Sequence, residues 1–174
     1  MNNQDQIWNK KVVDVARHAI RTLDHTNIEN NDVIVFDVDE TLLDSNYNVI
    51  TPILNVYFYA RMIGIKIAII TARDEQIFET TKEQLYKAGI THVDFYYFRS
   101  ANMLNPWTYK HNARIHLIMQ GYRIIMSIGD QDWDIIGNEI GVGVKVPIND
   151  ISILSNEQYI KYNIWPGQEK YITS

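Results

Sequence analysis

Two short acidic clusters hold most of the chemistry that this sequence makes legible. The apolar run Val33-Ile34-Val35-Phe36 leads directly into Asp37-Val38-Asp39-Glu40-Thr41, and a run from Arg123 to Ile128 leads into Gly129-Asp130-Gln131-Asp132-Trp133-Asp134. A third run, from Lys66, ends in Thr71-Ala72-Arg73. One aspartate after a strand is ordinarily a helix cap or a solvated turn residue. Two clusters delivered to the same sheet edge are a different matter. Asp37, Asp39, Asp130 and Asp134 would repel one another, and leaving them unpaired at a partly buried strand end costs several kcal/mol or forces protonation. A cation removes that cost. An all-oxygen donor set with few protein ligands suits Mg2+, which keeps some waters and is often completed by a substrate phosphate.

A carboxylate beside such a cation can also act as a nucleophile, taking a phosphoryl group as an aspartyl-phosphate that water later hydrolyses. The transferring group carries negative charge on its equatorial oxygens, so positive charge and oriented donors must surround them. Lys110 and Mg2+ would supply the charge. Thr71 can donate a hydroxyl hydrogen bond, and backbone N–H groups after Asp37 can add more.

The elements that must position these groups follow from the hydrophobic pattern. Short β-branched runs alternate with helical stretches from Val33 onward, the signature of parallel strands joined by crossover helices. The strands expected are Val33 to Asp37, Lys66 to Thr71, Val93 to Phe98, Arg123 to Ile128 and Gly141 to Val146. Helices are expected near Ile53 to Met62, Glu75 to Ala88, Lys110 to Met119 and Trp133 to Glu139. Gly64, Gly89 and Gly121 each follow a helical stretch, where a left-handed C-cap residue is wanted. Trp8, Val12, Val15, Ala19, Ile20 and Leu23 form one stripe of an N-terminal packing helix. The fold class is therefore α/β, a three-layer α/β/α sandwich around a parallel Rossmann-like sheet, whose ligands bind at the carboxyl ends of the strands. Residues 1–174 read as a single domain: an N-terminal helix within 1–30, a catalytic core over 33–146 and an extended segment over 147–174 that wraps the domain.

Composition narrows the classes further. The chain has 174 residues, 46% apolar, no cysteine and a formal net charge of -5. Its length is sufficient for a core without disulfides, and the missing cysteine excludes thiol catalysis and zinc-thiolate sites. The acidic balance disfavours a broad grip on nucleic acid. No apolar run reaches the length of a membrane span, and Met1 to Gln6 is polar, so the expected location is cytoplasmic with no membrane partner. His18, His25, His92, His111 and His116 show no metal-ligand spacing.

Taken in chain order, Asp37-x-Asp39-x-Thr41, Thr71, Lys110 and Gly129-Asp130-x-x-x-Asp134 resemble the four motifs of the haloacid dehalogenase (HAD) superfamily. Within it, Val35-Phe36-Asp37-Val38-Asp39-Glu40-Thr41-Leu42-Leu43, Tyr109-Lys110, Arg114, Leu117, Gly121-Tyr122, Ile124 and Ile128-Gly129-Asp130-Gln131 are similar to the class IIIB (class B-like) acid phosphatases and the plant vegetative storage proteins. The resemblance implies a Mg2+-dependent phosphatase. It makes Asp37 nucleophile and metal ligand, and Asp39 the general acid and then base, with its carbonyl on the metal. It makes Asp130 a direct ligand and Asp134 the holder of a metal-bound water, puts Thr71 on the phosphoryl oxygens, and pairs Lys110 with Asp37 and the phosphate. The second motif of the close relatives usually reads Thr-Gly-Arg, so Ala72 is a departure, and Arg73 is a candidate substrate contact beside Thr41.

Superfamily members usually select substrates with an inserted cap. Neither the stretch from Asp37 to Thr71 nor that from Thr71 to Lys110 has room for one, so the site should be open to a phosphorylated small molecule or an exposed phosphate of a larger one, or be covered by a second subunit. Tyr47 and Trp107, read as loop residues beside motifs, could stack on a base or aryl ring, whereas Tyr57 and Tyr59 read as core. Broad or nucleotide-type monoesters are the expected substrates. A polynucleotide end phosphatase and a non-catalytic storage or interaction protein are the alternatives. A response-regulator receiver fits poorly, because the third strand ends in Phe98-Arg99-Ser100 without an aspartate.

Overall fold

The computed structural model describes residues 2–149. The expectation of an extended tail therefore falls almost entirely outside the described residues. Within them the strands are β1 (Asp32–Phe36), β2 (Lys66–Asp74), β3 (Phe95–Arg99), β4 (Arg123–Gly129) and β5 (Val142–Lys145). They form one parallel sheet in the order β3-β2-β1-β4-β5. The chain moves outward from β1 through β2 to β3, then returns past β1 to β4. The order thus reverses between β1 and β4, and the crevice of an open α/β sheet opens at that reversal.

Side-chain alternation divides the core in two. Ile34 and Phe36 of β1, Ile67 and Ile69 of β2 and Met126 and Ile128 of β4 face one layer of helices: α1 (Asn3–Asp24), α2 (Thr51–Met62) and α3 (Phe78–Lys87). Val33 and Val35 of β1 with Ala68 and Ile70 of β2 face α4 (Pro106–Met119) through Tyr109, Ala113 and Leu117. Helices cover both faces, as a parallel sheet requires. Of the stripe expected on α1, Val12, Ala19 and Leu23 are buried together with Ala16, and Trp8, Val15 and Ile20 pack partly buried beside them. A large aliphatic side chain buried in this way stabilises the fold by roughly 1.5–3 kcal/mol. Trp8 of α1 donates its indole N–H to the Pro147 carbonyl at 2.7 Å, closing the N-terminal helix against the chain that follows β5.

Boundaries differ from expectation where turn chemistry overrides periodicity. The helix starts at Asn3, five residues before the expected stripe, because Asn2 and Asp5 form a capping box. α4 starts at Pro106 rather than Lys110, because the Asn105 side chain accepts the Trp107 N–H at 3.0 Å and Pro106 needs no hydrogen-bond partner at the first position. Trp107 and Tyr109 are thereby helical, not loop, residues. The helix expected over Trp133 to Glu139 is a single turn, α5 (Asp132–Ile135), since Ile136 is extended and Gly137 has φ 147°. The stretch expected as one helix from Glu75 divides into a 3-10 turn (Glu75–Ile77) and α3. Gly64, Gly89 and Gly121 adopt φ of 88°, 98° and 91°, the left-handed C-caps anticipated.

Candidate active site

The register of β1 against β4 brings the two acidic clusters together. Phe36 pairs with Ile128, and the Asp37 N–H donates to the Ile128 carbonyl at 3.0 Å, so the ladder runs one residue into the site. Asp37 and Asp130 then leave adjacent strand ends, and the turn of α5 returns Asp134 beneath them. Gly129 makes this approach possible: a Cβ there would lie 2.2 Å from the Asp134 Cβ.

Asp37, Asp130 and Asp134 are all buried, and an oxygen from each lies within 4.8 Å of the others. Lys110, from the second turn of α4, is the cation among them. Its Nζ is 2.8 Å from Asp37 Oδ1 and donates to Asp134 Oδ1 as well. Asp134 Oδ2 accepts the Gln131 N–H at 3.1 Å, and the Gln131 amide donates to Asp130 Oδ2 at 2.6 Å. Burial, reinforced by the charge of Asp134, pushes Asp37 up to about 7 despite Lys110 beside it. Burial and the charges of Asp37 and Asp134 hold Asp130 well above the ordinary carboxylate range. Burial disfavours the Lys110 ammonium, but Asp134 and Asp37 outweigh it and raise its pKa above the usual lysine value. Three buried carboxylates against one ammonium leave negative charge uncompensated, and this hard oxygen set could hold a divalent cation.

Asp39 lies apart from that group. Its carboxylate, 53% exposed, faces Arg73 instead. Arg73 Nε approaches Asp39 Oδ1 and Oδ2 at 3.1 and 2.9 Å, and Nη2 donates to Oδ1 at 2.6 Å. A cleft of about 270 Å³ is lined by Asp37, Asp39, Lys110 and Asp130, with Tyr47, Ala72, Gln131 and Trp133 among its other wall residues. Tyr47 sits at the tip of a turn in which Asp44 Oδ1 accepts the N–H groups of Asn46 and Asn48 at 2.8 and 2.9 Å. Tyr47 takes a φ of 62° there, and Glu40, next to Asp39, takes a φ of 54°.

The remaining candidates are placed less directly. Thr71 is fully buried in β2, its Oγ1 accepting the Arg73 N–H at 3.2 Å. Thr41 is also fully buried, and its hydroxyl has no hydrogen-bond partner among the described residues. Trp107 stands behind the cleft, its ring edge-on to Trp133 at 6.3 Å, rather than in the cleft wall. Trp133, the aromatic that does line the cleft, escaped sequence reasoning although it lies inside the Asp130-x-x-x-Asp134 interval. A wall residue of a one-turn helix leaves no periodic signal.

Comparison with known proteins decides the family. Residues 46–162 match the HAD superfamily, subfamily IIIB (acid phosphatase). The chain belongs to that subfamily. The acidic pair Asp37 and Asp39 lies just before the matched stretch, while Lys110, Asp130 and Asp134 lie inside it. The relatives include the stem 31 kDa glycoprotein of Glycine max, 25% identical over 73% of this chain and 61% of its own length. Acid phosphatase 1 of Solanum lycopersicum is 26% identical over 75% of this chain and 62% of its own. The chain thus spans about three fifths of the length of the curated relatives it matches. A class C acid phosphatase from Bacillus anthracis, solved with tungstate bound, superposes with a TM-score of 0.63 at 14% identity, over 87% of this chain and 80% of that one. At that identity the likeness concerns the HAD-type fold alone. No helix among the described residues is long and apolar enough to cross a membrane.

Proposed function

We propose that this member of the acid phosphatase subfamily hydrolyses phosphomonoesters through an aspartyl-phosphate on Asp37, with Asp39 as general acid and base. The observation that carries the reading is the convergence of Asp37, Asp130 and Asp134 on the buried Lys110 at the β1–β4 switch point. Asp37, the Asp39 carbonyl, Asp130 and Asp134 would hold Mg2+, with Asp134 acting through a water. The ion's part is to neutralise charge on the phosphoryl oxygens and orient them.

The chain's own groups do the rest. Asp37 Oδ forms a bond to phosphorus as the bond to the leaving oxygen breaks, and Asp39 gives that oxygen its proton. Asp39 then takes a proton from the water that attacks the aspartyl-phosphate, and the Asp37 carboxylate is released with inorganic phosphate. Lys110 meets the developing charge from the α4 side. Thr71, whose oxygen already accepts from the Arg73 N–H, keeps its O–H to donate to the phosphoryl group. Tyr47 and Trp133 give the cleft an apolar wall suited to an aryl or base moiety.

The test is release of phosphate from 4-nitrophenyl phosphate with Mg2+, then with EDTA, for the wild type and Asp37→Asn. EDTA should abolish turnover, and Asp37→Asn should lower kcat by at least about 1,000-fold. Undiminished hydrolysis by the Asn variant would remove the nucleophile assignment. A wild type that turns over no phosphomonoester would instead favour a storage or interaction role.

A further inference from the structure

Arg73 was expected to touch substrate, yet its surroundings fit another task. Its side chain is 8% exposed, and it does not line the cleft that Asp39 and Ala72 do. Each of its donor nitrogens already has a protein partner. Nε and Nη2 hold the Asp39 carboxylate in a fork, while Nη1 donates to Thr81 Oγ1 at 3.0 Å and to Gln84 Oε1 at 2.6 Å. Thr81 and Gln84 are three residues apart on α3 and so share one face of it. Arg73 continues the β2 alternation of Ile67, Ile69 and Thr71 and therefore points toward that layer of helices. On the outer side, the Tyr47 ring lies 5.6 Å from the guanidinium carbon.

We propose that Arg73 is a positioning residue for Asp39, aiming its carboxyl at the leaving-group oxygen, with Thr81, Gln84 and Tyr47 fixing the guanidinium in turn. The proposal rests on the reading of Asp39 as general acid given above. A buried, doubly anchored fork sets the orientation of an exposed carboxylate that its own short side chain would leave free to rotate. Only arginine has this planar fork, and a lysine ammonium at the same place would hold Asp39 as a point charge without fixing its plane.

The experiment compares kcat/KM for 4-nitrophenyl phosphate, whose leaving group needs little protonation, with that for phenyl phosphate, whose leaving group needs more. The enzymes are the wild type, Arg73→Lys, Arg73→Ala and Gln84→Leu, with melting temperature recorded for each. General acid catalysis contributes about 100-fold or more, so Arg73→Ala should lower the phenyl to nitrophenyl ratio of kcat/KM by at least about tenfold. Arg73→Lys should recover only part of that ratio, and Gln84→Leu should shift it the same way by a smaller factor. A loss by the same factor on both substrates in the folded variants would overturn the proposal in favour of a phosphate contact. So would an unchanged ratio in Gln84→Leu together with full recovery by Arg73→Lys. Asp39→Asn separates the two readings: if it keeps the wild-type ratio, the general-acid assignment fails first. If it loses the ratio while the Arg73 variants keep it, only the positioning role fails.

Discussion

Gly129 shows how narrowly a single position can be constrained at this site. Its φ is not in the left-handed region, so backbone freedom is not the reason for glycine. A methyl group there would occupy the space of the Asp134 side chain. Gly129→Ala should therefore displace Asp134 from Lys110 and cost about 2–4 kcal/mol of stability, measured by urea denaturation, a range set by overpacking and a broken buried ion pair. Asp37 carries a second expectation at this scale. Its pKa in the folded chain, about 7, lies above the ordinary value near 3.8. The neutral carboxyl is therefore the form that suits the metal-free fold. Its contribution is fully present below about pH 4 and is lost as pH rises through 7. Asp37→Asn has no such loss, so in EDTA its melting temperature should rise relative to wild type by several degrees between pH 4 and pH 8. A difference that stays flat, or falls, across that range would contradict the assigned electrostatics.

Among the elements, α4 has the most to position, because it carries Lys110 into the site and must be fixed against the segment after β4. Arg114, one turn further along α4 and 2% exposed, does this. It donates to the Trp133 carbonyl at 3.2 Å and pairs with Glu139 at 3.1 Å, while His111 approaches the same Glu139 oxygen at 2.8 Å. Burial holds Arg114 below the usual arginine range although Glu139 and Asp134 oppose it, whereas at Glu139 burial pushes up and is outweighed by His111, the backbone and Arg114, which hold it below the usual carboxylate range. Arg114→Ala would leave Glu139 in a mostly buried place without its arginine partner, and a loss of about 3 kcal/mol is expected by chemical denaturation. The proposed phosphatase activity should fall as well, since Trp133 lines the cleft and α4 holds Lys110. The motif resemblance included Arg114 without a role, and its position between two elements supplies one.

At the scale of the whole molecule, the sheet order decides what the carboxylates can do. With β4 beside β1, Asp37 and Asp130 share one crevice; with β4 at the far edge, they would be ordinary turn residues. A cation that binds the folded site and not the unfolded chain stabilises by RT ln(1 + [L]/Kd), about 2.7 kcal/mol at 100 times Kd. Mg2+ should accordingly raise the melting temperature at pH 7.5 by several degrees. The rise should shrink at pH 4.5, well below the value near 7 of Asp37, which is then protonated and must release its proton to bind, and Asp130 is shifted in the same direction. A Mg2+ effect equal at both pH values would argue against these ligands.

Much of this was legible in one sequence because it depended on local patterns. The alternation of β-branched runs and helices fixed the α/β class, and the three glycines after helices marked left-handed caps that the structure contains. Asp37, Asp39, Asp130 and Asp134 stood out because acids placed just past strands lack a bland explanation once two clusters are expected at one edge, and Lys110 stood out as the motif cation that would meet them. Tertiary structure decided the rest. The partner of Arg73 is 34 positions away along the chain, and Arg114 meets Glu139 across 25. No local period encodes such pairs, since one needs the end of β2 beside the segment that follows β1 and the other needs α4 packed against the segment that follows α5. Trp107, read as a loop residue, was drawn into α4 by a local cap at Asn105, and Trp133, which sequence reading had not singled out, was turned toward the carboxylates by a one-turn helix.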